Sequence, residues 1–352
     1  MRGPELIAER LTAQLLTGPP AGAPLEVAER LLAVQAQDQR GARLAVRART
    51  TGLSAADVDR ALTEEHSLVI TWLNRGTLHL VRSEDYPWLL ELTRAPLFTG
   101  NARRLAQLGV SGHDADRGVA AIERSLAAEG PLTREQLRER VARAGVPTEG
   151  QAHLHLLMLA CLRGLAVRGP MVGGRHAYAL VRDWLGEPAS VGRHAALAEL
   201  ARRYLSGHGP AGDRDLARWA GLPLRDARAA LSAIAGELEE RSGGLVHLAR
   251  RPPAAELPHP RLLGPFDPLL LGWTSREELL GRHRGAITVG GIFRPFALVG
   301  GRAVATWRMP GGEVVLEPLE RLRRTDAAAL EVDAADVVRF LGSSRNAARA
   351  KR

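Results

Sequence analysis

The sequence predicts an α+β protein with three tandem winged helix-turn-helix units and a C-terminal β-rich domain. Two observations predict this fold class. A plan of two helices followed by a β-hairpin recurs three times. Beyond a proline-rich joint at residues 251–260 the pattern changes to short β-like runs separated by Gly-Gly turns. The domains predicted from this are 1–112, 113–188, 189–256 and 257–352.

Length and composition are those of a globular chain. The 352 residues are 45% hydrophobic and 25% charged, which excludes an intrinsically disordered or collagen-like protein. Cys161 is the only cysteine, so an internal disulfide and a zinc finger are excluded, and we expect a reducing compartment. We find no signal-peptide pattern and no apolar run of membrane-spanning length. We therefore expect a cytoplasmic protein, associated with the nucleoid when it acts.

The formal net charge of +9 points to a polyanionic partner. Because Lys351 is the only lysine, arginine supplies nearly all of the basic residues. This bias is typical of a high-GC coding preference, so the positions of the arginines carry more information than their number.

The first copy begins with a helix over residues 4–16, and a second helix opens at Pro24, a favoured residue in a first helical turn. Ser54 is a candidate N-cap, with Asp57 three positions later. Two strands, 68–73 and 77–81, flank an Asn-Arg-Gly turn and form the first hairpin.

The second and third copies have clearer boundaries. Thr133 and Gln136 form a capping-box pattern at the start of a helix over 134–144. The remaining elements predicted for these copies are helix 148–163, strands 165–168 and 176–181, helices 213–220 and 223–240, and strand 245–248. In the last domain we predict strands 286–289, 293–299, 303–308 and 313–318, then a helix over 334–342 and a basic tail.

Two sequence motifs resemble ligand-binding sites, but their positions in the predicted elements argue against that function. Residues 207–212 match G-x-G-x-x-G, but they follow a helix and include a proline, so we do not expect nucleotide binding. His153 and His155 stand two apart within a predicted helix, and residues at that spacing do not share a helix face. We therefore expect neither a metal nor a cofactor.

The segment 30–49 stands out because glutamines alternate in an otherwise apolar and basic stretch. Gln35 and Gln37 are followed by Arg40, Arg43 and Arg47, whose spacing places them on one face of a helix if Gly41 permits. This face is either a nucleic-acid contact or an ordinary polar helix surface.

The tetrapeptide Val-Gln-Ala-Gln at 34–37 resembles the Gln-Φ-Gln signature of the AlkZ family of bacterial DNA glycosylases, within the AlkZ/YcaQ winged-helix superfamily. Segments 71–79, 263–272 and 299–308 are also similar to that superfamily. They follow in the expected order and cover nearly the whole chain. The YcaQ branch has an aspartate where this chain has Gln37, so the chain sides with the AlkZ branch. Ala36 is smaller than the apolar residue expected between the glutamines. Asp38 lies one residue further, and in a helix it would point about 100° away.

The resemblance implies a protein that curves around double-stranded DNA and excises cationic N7-alkylguanine, including bases held in interstrand crosslinks. Such an enzyme serves DNA repair or self-resistance to a genotoxic natural product. The implied catalytic residues are Gln35 and Gln37. We assign the attacking water to Gln37 and the positioning of the sugar or water to Gln35, and the reverse assignment stays open.

The implied partner is duplex DNA carrying alkylated purines, with no membrane and no small-molecule cofactor, and we expect a monomer. Candidate DNA contacts outside the glutamine pair are Arg40, Arg43, Arg47, Arg75, His79 and Arg294. His79 is equally well explained as a core histidine, Arg294 as an exposed arginine, and Trp72 better as a core residue than as a stacking platform.

A winged-helix DNA-binding or regulatory protein without catalysis is the alternative function. The fold is compatible with both functions. The pair of glutamines and the lack of an evident ligand-sensing module favour the enzyme.

Overall fold

The structure of the chain is a computed structural model that describes residues 3–187 and 191–349, with side chains described up to residue 342. It divides into two compact units, one formed by Met1–Val58 with Leu197–Arg352, the other by Asp59–Ala196. The expected boundary between residues 188 and 189, and residues 350–352 of the basic tail, lie outside the described residues. The division into four domains stays a prediction.

The unit Asp59–Ala196 combines helices with antiparallel strands in the order β3-β2-β5-β6-β4. Its strands are β2 (Leu68–Leu73), β3 (Thr77–Arg82), β4 (Leu132–Thr133), β5 (Ala166–Val172) and β6 (Arg175–Leu180). Its helices are α4 (Ala55–Thr63), which begins in the other unit, α5 (Tyr86–Gln107), α6 (Gly112–Glu129), α7 (Arg134–Arg143), α8 (Ala152–Leu162) and α9 (Val181–Trp184).

Local sequence signals account for several of these boundaries. The capping box at α7 is confirmed, since the Thr133 N–H donates to Gln136 Oε1 at 2.8 Å and the Gln136 N–H donates to Thr133 Oγ1 at 3.3 Å. The predicted first hairpin is also confirmed, with Asn74 and Gly76 in the left-handed region at φ of 55° and 83°. Ser54 and Asp57 hydrogen-bond each other at the start of α4, where the Ser54 hydroxyl donates to Asp57 Oδ2 at 2.9 Å.

The other unit contains the segment with the two glutamines. Its helices are α1 (Gly3–Ala13), α2 (Pro24–Leu31), α3 (Gln39–Arg47), α10 (Arg193–His208), α11 (Asp213–Ala220), α12 (Leu224–Ser232), α13 (Glu277–Leu280), α14 (Arg284–Ile287) and α15 (Arg324–Arg349). Its strands are β1 (Val34–Gln35), β7 (Leu238–Arg241), β8 (Leu245–Leu248), β9 (Arg261–Leu263), β10 (Thr288–Val289), β11 (Ile292–Phe293), β12 (Phe296–Val299), β13 (Arg302–Arg308) and β14 (Val315–Pro318).

A four-stranded antiparallel sheet in the order β14-β13-β12-β9 shares a hydrophobic core with α3 and α15. Leu44 of α3, Trp307 of β13 and Leu330 of α15 are buried in one cluster with apolar residues of that sheet. The catalytic candidates are thus attached to a helix whose inner face is part of a hydrophobic core.

Several predicted elements differ in the structure. The predicted helix 223–240 ends at Ser232 and gives way to β7, and the predicted strand 286–289 begins as the short helix α14. The predicted strand 293–299 is divided into β11 and β12 at Pro295, which has no N–H to donate to a sheet. The last helix begins at Arg324, ten residues earlier than predicted.

The observed architecture is a mixture of helices and sheets, as the fold class requires, while the three winged-helix units stay a prediction. Among residues 3–187 and 191–349, no helix combines the length and apolar character needed to cross a bilayer.

Candidate active site

The two glutamines lie between α2 and α3 and outside any helix, although the hypothesis of a helical segment would place them on one. Helix α2 ends at Leu31, and Leu32 takes a positive φ of 62°, which ends the helical path. Gln35 is the last residue of β1 and is buried, whereas Gln37 is exposed at the bend that leads into α3. The helix break therefore falls before the glutamines and not at Gly41.

Asp38, the residue after Gln37, is the N-cap of α3. Its Oδ1 accepts a hydrogen bond from the Gly41 N–H at 2.6 Å. The expectation that Asp38 is turned away by one helical step is wrong, because residues 34–38 are not helical. The cap fixes the point at which the extended segment becomes α3.

The three arginines of this segment do not share an exposed face. Arg40 is exposed in the first turn of α3, but Arg43 and Arg47 are buried. One donor of Arg43, Nη1, is bound to the Gln39 carbonyl oxygen at 2.9 Å. Arg40 and Arg43 differ in exposure because the buried face of α3 is wide enough to include residue 43.

Arg47 is held inside the protein by the last helix. Its Nη1 donates to Asp333 Oδ2 at 2.9 Å, its Nε donates to Asp336 Oδ2 at 2.8 Å, and its Nη2 is also paired with Asp333. Nη1 further donates to the Leu262 carbonyl oxygen at 3.1 Å. These ion pairs raise the pKa of Arg47 despite its burial. The expected phosphate contact of Arg47 is therefore corrected to a structural role, since its donors face carboxylates and a carbonyl group.

A short hairpin, β10 and β11 with the turn Gly290-Gly291, carries an exposed apolar tip. Val289 and Ile292 are 45% and 59% exposed. Large apolar side chains exposed together at a hairpin tip are typical of a binding surface. Arg294, the predicted DNA contact, is exposed immediately after β11.

Beside the hairpin lies a basic cleft of about 390 Å³ lined by Arg276, Arg284, Thr288 and Phe293. The Arg276 guanidinium lies 5.1 Å from the centroid of the Phe293 ring. The residues of this cleft are not among those predicted from the sequence. The hairpin beside the cleft does have a sequence pattern. The pair Gly290-Gly291 stands between Thr288-Val289 and Ile292-Phe293, which is typical of a hairpin with a two-residue turn.

Two further candidates belong to the unit Asp59–Ala196. Arg75 is exposed at the turn of the β2–β3 hairpin. His79 is 3% exposed, with Nδ1 2.9 Å from the Thr77 carbonyl oxygen. Burial, with a smaller contribution from the positive charge of Arg75, lowers the pKa of His79 to about 3, so the ring is neutral at physiological pH. Of the two interpretations of His79, a DNA contact or a core residue, its burial therefore favours the core residue. Trp72 is likewise buried.

The histidines at 153 and 155 have separate partners. His153 Nε2 lies 2.9 Å from the Arg134 carbonyl oxygen, and His155 Nδ1 lies 2.7 Å from Asn101 Oδ1. In the described part of the chain, no group of three or more His, Cys, Asp or Glu side chains is arranged to hold a metal ion.

Comparisons with known proteins agree over nearly the entire length. Residues 28–340 match the family described as DNA glycosylase AlkZ-like. The chain is 29% identical over 369 aligned positions to the interstrand DNA cross-link repair glycosylase of Streptomyces sahachiroi, and the alignment covers 97% of each protein. Its fold is similar to the solved structure of the Streptomyces sahachiroi DNA glycosylase AlkZ, with a TM-score of 0.78, 27% identity and 97% coverage of both chains.

Proposed function

The chain belongs to the AlkZ-like DNA glycosylase family, and from this premise we propose that it hydrolyses the N-glycosidic bond of cationic N7-alkylguanine in duplex DNA. Because the cross-link repair glycosylase of Streptomyces sahachiroi is similar over 97% of each chain, we extend the proposal to the unhooking of interstrand crosslinks. Such an enzyme serves DNA repair or self-resistance to a genotoxic natural product.

The observation that carries this proposal is the pair of amides immediately before α3. Gln35 ends strand β1 and Gln37 lies two residues later at the bend before α3, so the Gln-x-Gln spacing keeps two amides close together for action on one substrate. Gln37 is exposed and accessible to DNA, whereas Gln35 is buried. Ala36 between them is buried and anchors the segment.

Glutamine does not ionise and is a poor general base, but this substrate does not need a strong one. The alkylated guanine already carries a positive charge. When the bond between C1′ and N9 breaks, its electron pair neutralises the ring, and the base leaves without a general acid. A water then forms the new bond to C1′ and loses its proton to solvent.

An amide oxygen accepts a hydrogen bond from that water and faces the positive charge that develops on the sugar. We assign this role to Gln37, since its side chain is exposed, and the positioning of sugar or water to Gln35. The reverse assignment is tested by comparing the base-excision rates of Gln35→Ala and Gln37→Ala.

The proposed DNA contacts are Arg40 next to the glutamines, Arg294 beside the β10–β11 hairpin, and Arg75 at the first hairpin turn, all of which are exposed. These arginines would contact phosphates. The apolar hairpin tip suits insertion between base pairs, as in proteins that bend DNA from the minor groove. Arg43, Arg47 and His79 are left out because they are buried.

The order of elements along the chain supports three winged-helix units. Each hairpin, β2–β3, β5–β6 and β7–β8, follows two helices. One chain supplies both the glutamine pair and the apolar hairpin, so we propose that it acts as a monomer.

The direct test is incubation with a duplex that contains N7-methylguanine, followed by chromatography of the released base. We expect free N7-methylguanine, unchanged release in EDTA, and conversion of a crosslinked duplex to separable strands. The neutral leaving group makes a metal unnecessary for bond cleavage. Release abolished by EDTA and restored by zinc would contradict the amide mechanism. Tight binding to one unmodified sequence without any base release would identify a regulator instead.

A further inference from the structure

We propose that a backbone contact between Gly41 and residues 264–267, here called the strap, sets the position of the glutamine segment. Gly41 of α3 and Gly264 of the strap are then positioning residues for base excision. This inference rests on the proposed function, because the position of Gln37 matters to the rate only if Gln37 acts on the substrate.

The two glycines allow helix and strap to touch through their backbones. A Cβ atom at residue 41 would lie 2.5 Å from the Pro265 carbonyl oxygen and 3.1 Å from Pro265 Cγ. A Cβ atom at residue 264 would lie 2.8 Å from Leu44 Cβ. Both distances to fixed atoms are shorter than a Cβ tolerates, so either helix or strap must shift if a side chain is added.

The strap is anchored at its far end by a buried ion pair. Asp267 Oδ1 and Oδ2 each accept a hydrogen bond of 2.9 Å from Arg49, and both side chains are fully buried. Arg49 Nη2 also donates to Gln14 Oε1 at 2.9 Å. A bidentate pair with its remaining donors satisfied resists displacement.

The strap is also anchored where it begins. The Leu262 N–H, in the strand β9 that leads into the strap, donates to Asp333 Oδ2 at 2.6 Å, and Asp333 is the carboxylate that binds Arg47. With both ends of the strap held, the first turn of α3 is the element that yields when the contact is crowded.

A shift of that turn reaches the glutamines through the N-cap. Gly41 donates its N–H to Asp38, and Asp38 directly follows Gln37. The distance of 2.5 Å to the Pro265 oxygen is about 0.9 Å shorter than the 3.4 Å at which ordinary van der Waals contact begins. Displacements on the scale of 1 Å cost an enzyme about 100-fold in rate, so the expected loss is about 10- to 100-fold.

The same strap reaches the apolar hairpin. Phe266 takes a positive φ of 57°, its N–H donates to the Phe293 carbonyl oxygen at 3.3 Å, and the two rings lie 5.8 Å apart. The strap thus joins the glutamine segment to the hairpin of the proposed DNA surface, and its contact with Gly41 sets the spacing between them.

The test compares Gly41→Ala with Gly100→Ala. Gly100 lies inside helix α5, and a Cβ there would meet no atom within 4 Å, so the control makes the same change in a helix without the clash. Single-turnover release of N7-methylguanine is measured with enzyme in excess, together with duplex affinity and the thermal midpoint. We expect Gly41→Ala to release base about 10- to 100-fold more slowly with duplex affinity nearly unchanged, and Gly100→Ala to match the wild type.

Gly264→Ala approaches the contact from the other side and should reproduce the effect of Gly41→Ala. A wild-type rate in a folded Gly41→Ala protein, while Gln37→Ala is impaired, would overturn the positioning role and leave the proposed function intact. A rate that falls only in step with duplex affinity, or loss of folding in both glycine variants, would overturn it as well. Absence of base release by the wild type would instead reject the proposed function, and the positioning role with it.

Discussion

At the scale of single residues, the properties of the candidate catalytic and DNA-binding side chains depend on burial. Gln37 and Arg40 are exposed on either side of the α3 N-cap, whereas Gln35, Arg43 and Arg47 are buried within the same segment. Residues of the same type and only a few positions apart are therefore expected to respond differently to substitution.

Gln37→Ala should slow base excision far more than it weakens duplex binding, because Gln37 acts where water and sugar cation meet. An oriented water contributes about 10²–10⁴ in rate, and the labile cationic substrate places the loss near the lower end. Gln37→Asp should retain or partly restore the rate, since a carboxylate accepts the proton of the water. Single-turnover excision and anisotropy titrations measure the two effects.

Unfolding free energy serves as the control and should change by less than about 0.5 kcal/mol, because the side chain is exposed. Excision at the wild-type rate would show that Gln37 is not catalytic.

Arg40→Ala should lower the slope of log K against log salt by about 0.9, the amount expected for one lost phosphate contact. Its free energy of unfolding should change by less than about 0.5 kcal/mol, since the side chain is exposed. Duplex titrations between low and moderate salt measure the slope. An unchanged slope would remove Arg40 from the proposed DNA surface.

At the scale of elements, α3 and the residues just after it are joined to distant parts of the chain by buried arginines. Arg47 pairs with Asp333 and Asp336 on α15, and Arg49, just beyond the helix, pairs with Asp267 of the strap. Arginines expected on a DNA-binding face thus include one that holds the last helix. Buried ion pairs are costly to break from one side, because the remaining charge stays without compensation.

Arg47→Ala should destabilise the protein by roughly 3 kcal/mol, at the low end of the range for a broken buried pair because Asp336 is partly exposed. Urea unfolding measures the loss. Arg323→Ala is the matched control, since it removes an exposed arginine that pairs with Asp326 three positions later and should leave the unfolding free energy nearly unchanged. Equal stability of Arg47→Ala and the control would show that the tie between α3 and α15 contributes little.

Ile292→Ser should weaken duplex binding without loss of stability. Ile292 is 59% exposed at the hairpin tip, so its replacement removes apolar surface that the free protein does not bury. Anisotropy with an undamaged duplex measures affinity, and the exposed Val332 on α15, changed to Ser, is the matched control at 73% exposure. A loss of affinity of the same size in both variants would argue against a specific role for the hairpin.

At the scale of the whole molecule, buried neutral histidines make stability depend on pH. Burial lowers the pKa of His79 and of His208 to about 3, from an ordinary value of 6.5. As the pH falls, each histidine binds a proton in the unfolded chain before it does so in the folded protein. The contribution of the two neutral histidines to the unfolding free energy is therefore complete above about pH 6.5 and is lost as the pH falls toward 3.

As the pH falls from 6.5 to 4, each of these histidines should therefore lower the unfolding free energy by about 1.4 kcal/mol for every pH unit. Urea unfolding at several pH values measures the slope. His79→Gln should reduce the slope by one histidine's share, and His113→Gln, which replaces an exposed histidine, is the control. An identical slope in wild type and His79→Gln would show that His79 is accessible to protons in the folded state.

Features whose causes are local follow directly from the sequence. The Thr133–Gln136 capping box, the first hairpin with its Asn-Arg-Gly turn, and helix α11 lie where the sequence predicts them, since caps and turns depend on residues within a few positions. The segment with Gln35 and Gln37 was also identifiable, because two polar residues in an apolar stretch stand out without any structure.

Which of these residues face solvent depends on how distant parts of the chain pack together. Arg47 is buried because its carboxylate partners come from Asp333 and Asp336, nearly three hundred residues away, and no local pattern reveals such a pair. Gly41 proved to be a point of close backbone contact with Pro265 and not a helix break. Helix periodicity gives the spacing of side chains around an axis, but the direction in which a face points depends on what packs against it, and that is a property of the folded chain.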